Sequence, residues 1–456
     1  MTLASILERF MEKTPLSVMA RAIMERIFKP QQLNEWFDKT AQKQYTKELL
    51  FSTVFDIISL VIFGSYKTLG AAIQARKDEI PVSVQAVYDK VNGIETHVSE
   101  ELVRFAAEEV TEIVEQMGGK QPPLLEGFRI KILDGNCIEA TEHRIKELRS
   151  ISSGALPGKS LVVYDPSLRI PIDVFLCEDG HAQERSMLIR VLESVQKDDC
   201  WIADRNFCVV NFLCGIDNAG GYFIIRRHGK LPWKSLGSET AVGITETGEI
   251  FEQPIAVTDE SGQEHKFRQI RIVLKKATRD GDKELFLITN LPMEKASGAI
   301  IAGLYRHRWR IETAFQELKK YLVSEINTMG YPPAALFAFS IALVAYMVVS
   351  VLKASLCSVH GVEKIENEVS NYYIADEIAG TCRGMMIAID DSQWEIFSQM
   401  TRKEFVAILI MLAKKVNLAK YKKHPRGPKK PPAKRRSDPK IPHVSTARIL
   451  KKRKKK

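Results

Sequence analysis

The pattern of hydrophobic and polar positions divides the chain into three parts. Residues 1 to about 120 follow a helical period, including a long apolar run at 49–63 that only Asp56 interrupts. After the Gly- and Pro-containing stretch 118–123, apolar and polar residues alternate with a period of two, which predicts strands. Beyond about residue 291 the helical period returns. This order predicts an α/β protein whose strand-rich centre is flanked by helical regions.

The central part predicts three strands, a helix, a fourth strand and a second helix. The strands cover 128–132, 161–164, 170–176 and 200–203, and the helices cover 181–195 and 207–213. The first strand runs into Asp134 and Gly135, and the fourth ends on Asp204. Four further strands at 222–225, 250–257, 267–274 and 285–289 predict an all-β insertion. The order is that of a ribonuclease-H-like core, with Asp134 and Asp204 at the ends of its first and fourth strands.

These patterns predict four regions. They are a helical N-terminal domain (1–120), a ribonuclease-H-like core (124–355) with its insertion at 221–290, a helical region (356–413) and a basic, disordered tail (414–456). In the first region, two short helices at 68–75 and 83–91 resemble a helix-turn-helix, a motif that any small helical bundle can contain. On this resemblance to a helix-turn-helix, we predict that the N-terminal domain binds DNA.

Charge is distributed unevenly along the chain. The net charge of +10 hides a tail, 414–456, with 19 Lys or Arg and one acid, whereas residues 1–413 hold 47 cations and 55 anions. A segment this basic, with little apolar content, favours a polyanionic partner such as DNA, although it could serve only for solubility. Seven scattered cysteines without a CxxC pair argue against disulfides and zinc and for a reducing compartment.

One predicted helix, 304–322, carries an unusual set of polar residues. Tyr305, Arg308, Glu312 and Lys319 fall within about a 60° arc if the stretch forms one helix of about five turns. They could form a solvated face with an Arg308–Glu312 pair worth about 0.3 kcal/mol. Alternatively, Glu312 binds a metal ion among neighbours that hold phosphates.

The uncharged stretch 334–352 is long enough to span a bilayer. We interpret it instead as a helix buried against the sheet, since no other segment of the chain has this character. The sequence therefore predicts no membrane partner.

Asp134, Asp204 and Glu312 together suggest a two-metal site, because carboxylates are the ligands that Mg²⁺ prefers. The absence of a GxxxxGK[ST] loop argues against an ATP-driven enzyme. Asp165 and Asp173 also lie at predicted strand edges, and spacing alone does not exclude them.

The residues resemble a known family. Tyr305-x2-Arg308-x3-Glu312-x6-Lys319 matches in type and spacing the Tyr-Arg-Glu-Lys signature of bacterial DDE transposases of the IS-four insertion-sequence family. Asp134-Gly135 resembles the first acid of that family with its glycine, and Asp204-Arg205-Asn206-Phe207 resembles the second. The 108 residues between Asp204 and Glu312 agree with a family whose core carries a β-rich insertion there.

The resemblance implies a cut-and-paste transposase that cleaves DNA and transfers strands through a hairpin intermediate. Asp134, Asp204 and Glu312 would bind two Mg²⁺ ions, with Mn²⁺ able to substitute. Tyr305, Arg308, Lys319 and Arg205 would contact DNA. The partners implied are double-stranded DNA, both transposon ends and target, and a second copy of the chain in a synaptic homodimer in the bacterial cytoplasm, associated with the nucleoid.

Two other functions fit the same residues. A structure-specific nuclease would cleave DNA on the same core without joining strands. A catalytically inactive DNA-binding protein would repress its own element, and intact acids argue against that reading.

Overall fold

The computed structural model describes residues 5–44, 47–278, 281–424 and 443–454. Within these ranges, seven α-helices precede the first strand, as the helical period predicts. They are α1 (Ser5–Lys13), α2 (Pro15–Ile27), α3 (Pro30–Thr40), α4 (Phe51–Ile62), α5 (Leu69–Ala75), α6 (Val84–Gly93) and α7 (Thr96–Gln116). The side chains of Thr68 and Ser83 cap α5 and α6 by accepting hydrogen bonds from Ala71 N and Ala86 N, both at 3.2 Å. The two helices of the predicted helix-turn-helix therefore exist, and their contact with DNA stays a prediction.

The strands form one large mixed sheet, which confirms the predicted α/β class. The strands are β1 (Arg129–Cys137), β2 (Gly154–Leu156), β3 (Lys159–Asp165), β4 (Ile170–Cys177), β5 (Asp199–Ala203), β6 (Tyr222–Arg226), β7 (Lys234–Ser235), β8 (Thr240–Ile244), β9 (Gly248–Thr258), β10 (Glu264–Leu274) and β11 (Glu284–Thr289). Ten of them run in the order β4-β3-β1-β5-β6-β11-β10-β9-β7, with β8 paired to β9, and β2 lies outside this sheet.

Strand direction changes at β1. β1, β3 and β4 form an antiparallel meander, whereas β5 pairs parallel to β1 and β6 pairs parallel to β5. The helix α8 (Leu188–Glu193) lies in the connection from β4 to β5, and α9 (Val210–Asn218) lies in the connection from β5 to β6. The strands of 221–290 do not form a separate unit, because β6 pairs with β5 and β11 pairs with β6, so that they continue the same sheet.

The helix predicted at 181–195 is much shorter in the structure. Residues Glu184–Met187 form a 3₁₀ turn, and only Leu188–Glu193 is α-helical. A tertiary contact fixes that turn, since Arg185 Nε donates to the carbonyl oxygen of Asn206 at 2.8 Å. Periodicity along the chain contains no information about such a contact.

The described part of the chain after the sheet is helical up to Lys415. Its helices are α10 (Gly298–Arg306), α11 (Trp309–Tyr321), α12 (Pro332–His360), α13 (Val362–Glu368), α14 (Asn371–Ala388), α15 (Glu395–Gln399) and α16 (Arg402–Lys415). Among the described helices, α12 alone is long and apolar enough to cross a membrane, and 89% of its most apolar window is buried inside the structure. It packs against α4, α7, α16 and β4. A helix that is apolar on every side is expected at such a central place.

The prediction of one continuous helix over 304–322 is wrong. The stretch is split into the end of α10 and the whole of α11, with a turn at His307 and Arg308. At this turn His307 N, Arg308 N, Arg310 N and Ile311 N bond to the carbonyl three residues earlier rather than four. These 3₁₀-type bonds tighten the backbone locally, so distances along a single straight helix do not apply.

The basic segment also differs from its prediction as a disordered tail. Residues 425–442 lie outside the described residues. Beyond them, β12 (His443–Ser445) pairs parallel with β2, and α17 (Thr446–Lys454) follows directly. Ser445 and Thr446 are buried against the core.

Candidate active site

The parallel register of β1 and β5 places two of the predicted acids side by side. Ile132 pairs with Ile202 and Leu133 with Ala203, so the next positions on the two strands are Asp134 and Asp204. Because side chains alternate along a strand, both aspartates point to the same face as Ile132 and Ile202. Asp204 directly follows β5, as predicted. Asp134, expected at a strand end, lies inside β1, because β1 continues past β5 in its pairing with β3.

The third acid comes from α11, which packs against β1 on this face. Glu312 lies on the first turn of α11, and Arg308 precedes that helix. Arg308 Nη1 is 2.6 Å from Glu312 Oε1 and 3.4 Å from Asp134 Oδ2. One guanidinium therefore joins two of the three acids.

Burial and charge act strongly on Asp134. Desolvation raises its pKa to about 6, helped by the neighbouring charges of Glu312 and Asp204 and opposed by Arg308 and by a hydrogen bond from Gly135 N. Glu312 and Asp204 therefore place further negative charge near Asp134, and Arg308 offsets part of it.

Arg308 itself is almost completely buried, at 9% exposure. Burial alone would lower its pKa, but Tyr305, Glu312, Asp134 and Asp204 together raise it. Its Nε has no hydrogen-bond partner among the described residues. A buried arginine with a free donor has capacity for a further acceptor, such as a phosphate oxygen.

Tyr305, at the end of α10, completes the contact with the second acid. Its hydroxyl donates to Asp204 Oδ1 at 3.4 Å, and burial raises the pKa of its phenol. Arg205 follows Asp204 in a 3₁₀ turn with an exposed side chain. Tyr305 therefore contacts Asp204 directly, and Arg205 is the next residue along the chain.

Lys319, the last predicted residue, lies farther along α11. Its Nζ is 3.1 Å from Glu325 Oε1 and 3.7 Å from Glu139 Oε1, and its side chain is 39% exposed. Among its described ion pairs, none is with the three acids. The structure thus brings six predicted residues into one neighbourhood and leaves Lys319 at its edge, next to acids that the sequence did not indicate.

A fourth carboxylate near the site was missed. Glu184 accepts a hydrogen bond from Asn206 Nδ2 and lies directly over Gly135, where an added Cβ would be 2.5 Å from Glu184 Oε1. Glu184 is on the face of β1 opposite Asp134, since residues 134 and 135 point to opposite faces. Glu184 thus contacts both the Asp134-Gly135 motif and the Asp204-Arg205-Asn206 motif. The glycine after Asp134 was the available signal, because glycine permits close approach of another group.

The two rival aspartates have structural partners instead. Asp165 accepts hydrogen bonds from Ser167 N and Leu168 N and pairs with Arg129 at 3.1 Å. Asp173 pairs with Arg104 at 2.7 Å. Each carboxylate is used to hold a turn or a helix, away from the cluster around Arg308.

The three acids suit a hard divalent cation by the chemistry of their donors. In the described part of the chain, however, no three Asp, Glu, His or Cys side chains are arranged so that they could hold a metal ion. Arg308 occupies the space between Asp134 and Glu312. An ion bound there would therefore have to take at least one carboxylate from Arg308.

Comparison with known proteins identifies the region that contains this site. Residues 126–347 match a family model described as a transposase DDE domain. The chain carries a transposase DDE domain. All seven predicted residues of the site, from Asp134 to Lys319, lie inside the matched range. The chain is therefore an enzyme of the DDE transposase class, a class that generally uses divalent metal ions.

Two further comparisons add little to this assignment. No curated protein matches the transposase in sequence. Among solved structures, it is similar to the piggyBac transposase synaptic complex with hairpin DNA, with a TM-score of 0.36 and 10% identity, covering 89% of this chain and 86% of that chain. A similarity this low carries no argument about the fold or the site.

Proposed function

We propose that the protein is a cut-and-paste DNA transposase of the IS-four family that cleaves transposon ends and transfers strands through a hairpin intermediate. The observation that carries the proposal is the convergence of Asp134, Asp204 and Glu312 from two neighbouring strands and one helix inside the DDE domain. The strand order β4-β3-β1-β5-β6, with three antiparallel strands followed by two parallel ones, supports a ribonuclease-H-like core.

Asp134, Asp204 and Glu312 would hold the divalent ions, which we propose to be two Mg²⁺. Bound there, the ions would activate the attacking oxygen and stabilise the leaving oxygen of an in-line displacement at phosphorus. The protein's part is to fix the three carboxylates. β1 and β5 set the distance between the aspartates, the backbone N–H of Gly135 orients Asp134 at 2.9 Å, and α11 delivers Glu312.

Arg308 is the residue best placed to respond to DNA. Its guanidinium joins Asp134 and Glu312 while its Nε lacks a described partner. If Asp134 and Glu312 hold divalent ions, the guanidinium of Arg308 would be free to bind two oxygens of a phosphate. Tyr305 contacts Asp204, Arg205 follows Asp204 in sequence, and Lys319 lies farther along α11. We propose that these four side chains hold the phosphates of the transposon end.

The remaining assignments extend this proposal to the whole chain. The N-terminal helices, including α5 and α6, would bind the inverted repeats. The synaptic complex would be a homodimer, and the protein would act in the bacterial cytoplasm on nucleoid DNA.

Cleavage of labelled end DNA by three alanine variants tests the proposal. Asp134→Ala, Asp204→Ala and Glu312→Ala should each lose metal-dependent cleavage while DNA binding survives. Asp173→Asn is the matched control, since it changes an aspartate of the same sheet that pairs with Arg104 outside the site. Metal-dependent cleavage by any one alanine variant would show that its acid is wrongly assigned.

The same assay separates the other two functions. A nuclease on this core would yield cleaved ends without strand-transfer products. An inactive repressor would bind the ends without cleaving them at all. Joined products that depend on metal and on all three acids support the transposase.

A further inference from the structure

The C-terminal segment 443–454 is attached to the catalytic domain by specific contacts. β12 pairs in parallel register with β2, with Val444 opposite Ala155. Ser445 Oγ donates to Asp179 Oδ1 and Arg448 Nε donates to Asp179 Oδ2, both at 2.6 Å. Asp179 therefore receives two side chains from a segment 266 positions later in the chain.

A small apolar cluster lies beneath these polar contacts. Ile145, Leu148 and Ala155 are buried, and the side chains that cover them include Val444, Ile449 and Leu450. Residues 443–454 are thus held by strand pairing, by apolar packing and by an ion pair. Such a combination fixes the position of a segment, whereas a solubilising tail needs none of these contacts.

The topology places the attached segment at the same end of the sheet as the catalytic acids. β1 and β5 run toward Asp134 and Asp204, and the antiparallel partners bring the start of β3 and the end of β4 to that end as well. β2 precedes β3, and Asp179 follows β4. Only five positions separate Asp179 from Glu184, which lies over Gly135.

The attached segment presents exposed cations. In α17, Lys451 and Lys452 are exposed. α17 contacts the 3₁₀ turn Lys146–Leu148, whose neighbourhood adds the exposed Lys146 and Arg149. No ion pair with a described residue engages these four cations. Together they form a cationic surface, Lys146, Arg149, Lys451 and Lys452, beside the catalytic end.

We propose that this docked segment is a fixed part of the DNA-binding surface, where the cationic surface holds backbone phosphates of double-stranded DNA next to the cleavage site. The proposal rests on the proposed transposase function. Cations that are held in place lose less freedom on binding than cations on a free chain, and they can also set the direction of the duplex. Asp179 is then a positioning residue, because it acts only through Ser445 and Arg448.

Binding of a fluorescent end-containing duplex, measured without metal ions between about 50 and 200 mM salt, tests the proposal. Asp179→Ala and Ile449→Asn weaken the docking yet keep every cation. Both should bind DNA several-fold more weakly with a smaller salt slope, although Asp179→Ala makes the protein more positive. Hydrogen exchange should rise in β12 and the start of α17. Wild-type affinity in variants whose exchange has risen would overturn the proposal, because the segment would then act as a free tail.

The charge itself is tested by Lys451→Ala/Lys452→Ala. The loss of two phosphate contacts should reduce the salt slope by about 1.8. Lys403→Ala/Lys414→Ala removes the same charge from two exposed positions on α16 and serves as the control. Equal slopes in the two double variants would overturn the proposal. Because these assays measure binding, a failed transposase assignment would appear separately, as wild-type protein that binds but does not cleave.

Discussion

Gly135→Ala should destabilise the catalytic end of the sheet for one reason, the carboxylate of Glu184. Gly135 does not have a positive φ, so its backbone accepts a side chain. The new Cβ would lie 2.5 Å from Glu184 Oε1 and 2.6 Å from its Cδ. Ordinary contact between such atoms is about 3.5 Å, so the carboxylate has to move by about 1 Å.

That movement determines the size of the effect. A shift of this size breaks the hydrogen bond that Glu184 accepts from Asn206, which is worth about 1.5–3 kcal/mol because one partner is charged. Glu184 is a flexible side chain and recovers part of this by contact with water. We therefore expect Gly135→Ala to lower the free energy of unfolding by about 1–2 kcal/mol.

The assay is a double-mutant cycle with Glu184→Ala, followed by urea unfolding of the four proteins under one salt condition. In the Glu184→Ala background the added methyl group meets no carboxylate, so Gly135→Ala should cost close to nothing. Gly303→Ala is the control, because a Cβ at this position in α10 meets open space. It should be neutral or stabilise the helix by up to about 1 kcal/mol.

The reasoning fails if Gly135→Ala costs the same with and without Glu184. In that case the glycine is needed for something other than the approach of this carboxylate. Cleavage activity of the same four proteins then shows whether the link between the two aspartate motifs affects the reaction. Activity should fall in Gly135→Ala and in Glu184→Ala without a further loss in the double variant.

Three further predictions concern charge and packing. Arg308→Ala leaves Asp134 and Glu312 without their shared cation, so it should lower the metal-free thermal midpoint, and added Mg²⁺ or Mn²⁺ should raise that midpoint more than in wild type. The same variant should slow hairpin formation on a pre-nicked end more than it slows the first nick on an intact end, with partial rescue by Arg308→Lys. Equal metal-induced shifts would contradict the first part, and wild-type hairpin rates the second. Burial would lower the pKa of His265, but hydrogen bonds with Asp217 and Asp259 raise it. The contribution of His265 to stability is therefore complete below about pH 6.5 and is lost as the pH rises through the folded-state pKa. His265→Asn should accordingly flatten the fall in thermal midpoint above about pH 6.5. An unchanged pH profile in His265→Asn would exclude a contribution of His265 to the pH dependence of stability. Phe337→Ala removes a fully buried ring of α12 and should cost about 3–5 kcal/mol in urea unfolding, whereas a cost below about 1 kcal/mol would show that α12 is not the packed core helix described here.

The local patterns of the sequence were sufficient for the elements that carry the site. Alternation through Ile130 and Ile132 predicted β1, because a period of two is typical of a strand. The apolar run before Asp204 predicted β5, which is buried at every position. The uncharged stretch of α12 predicted a buried helix. The types and spacing of Tyr305, Arg308, Glu312 and Lys319 pointed to DDE chemistry. Each of these features is determined by residues close together in the chain.

Long-range contacts decided the rest. The break between α10 and α11 occurs where the buried Arg308 meets Asp134, 174 positions earlier. The place of Glu184 near the site could not be predicted, because it depends on contacts with Gly135 and Asn206, which lie on two other elements. The basic end of the chain has the composition of a disordered tail, yet Asp179 and β2 hold it in place. Composition and periodicity describe how a segment behaves among its neighbours in sequence, whereas these positions are set by partners that only the folded chain brings near.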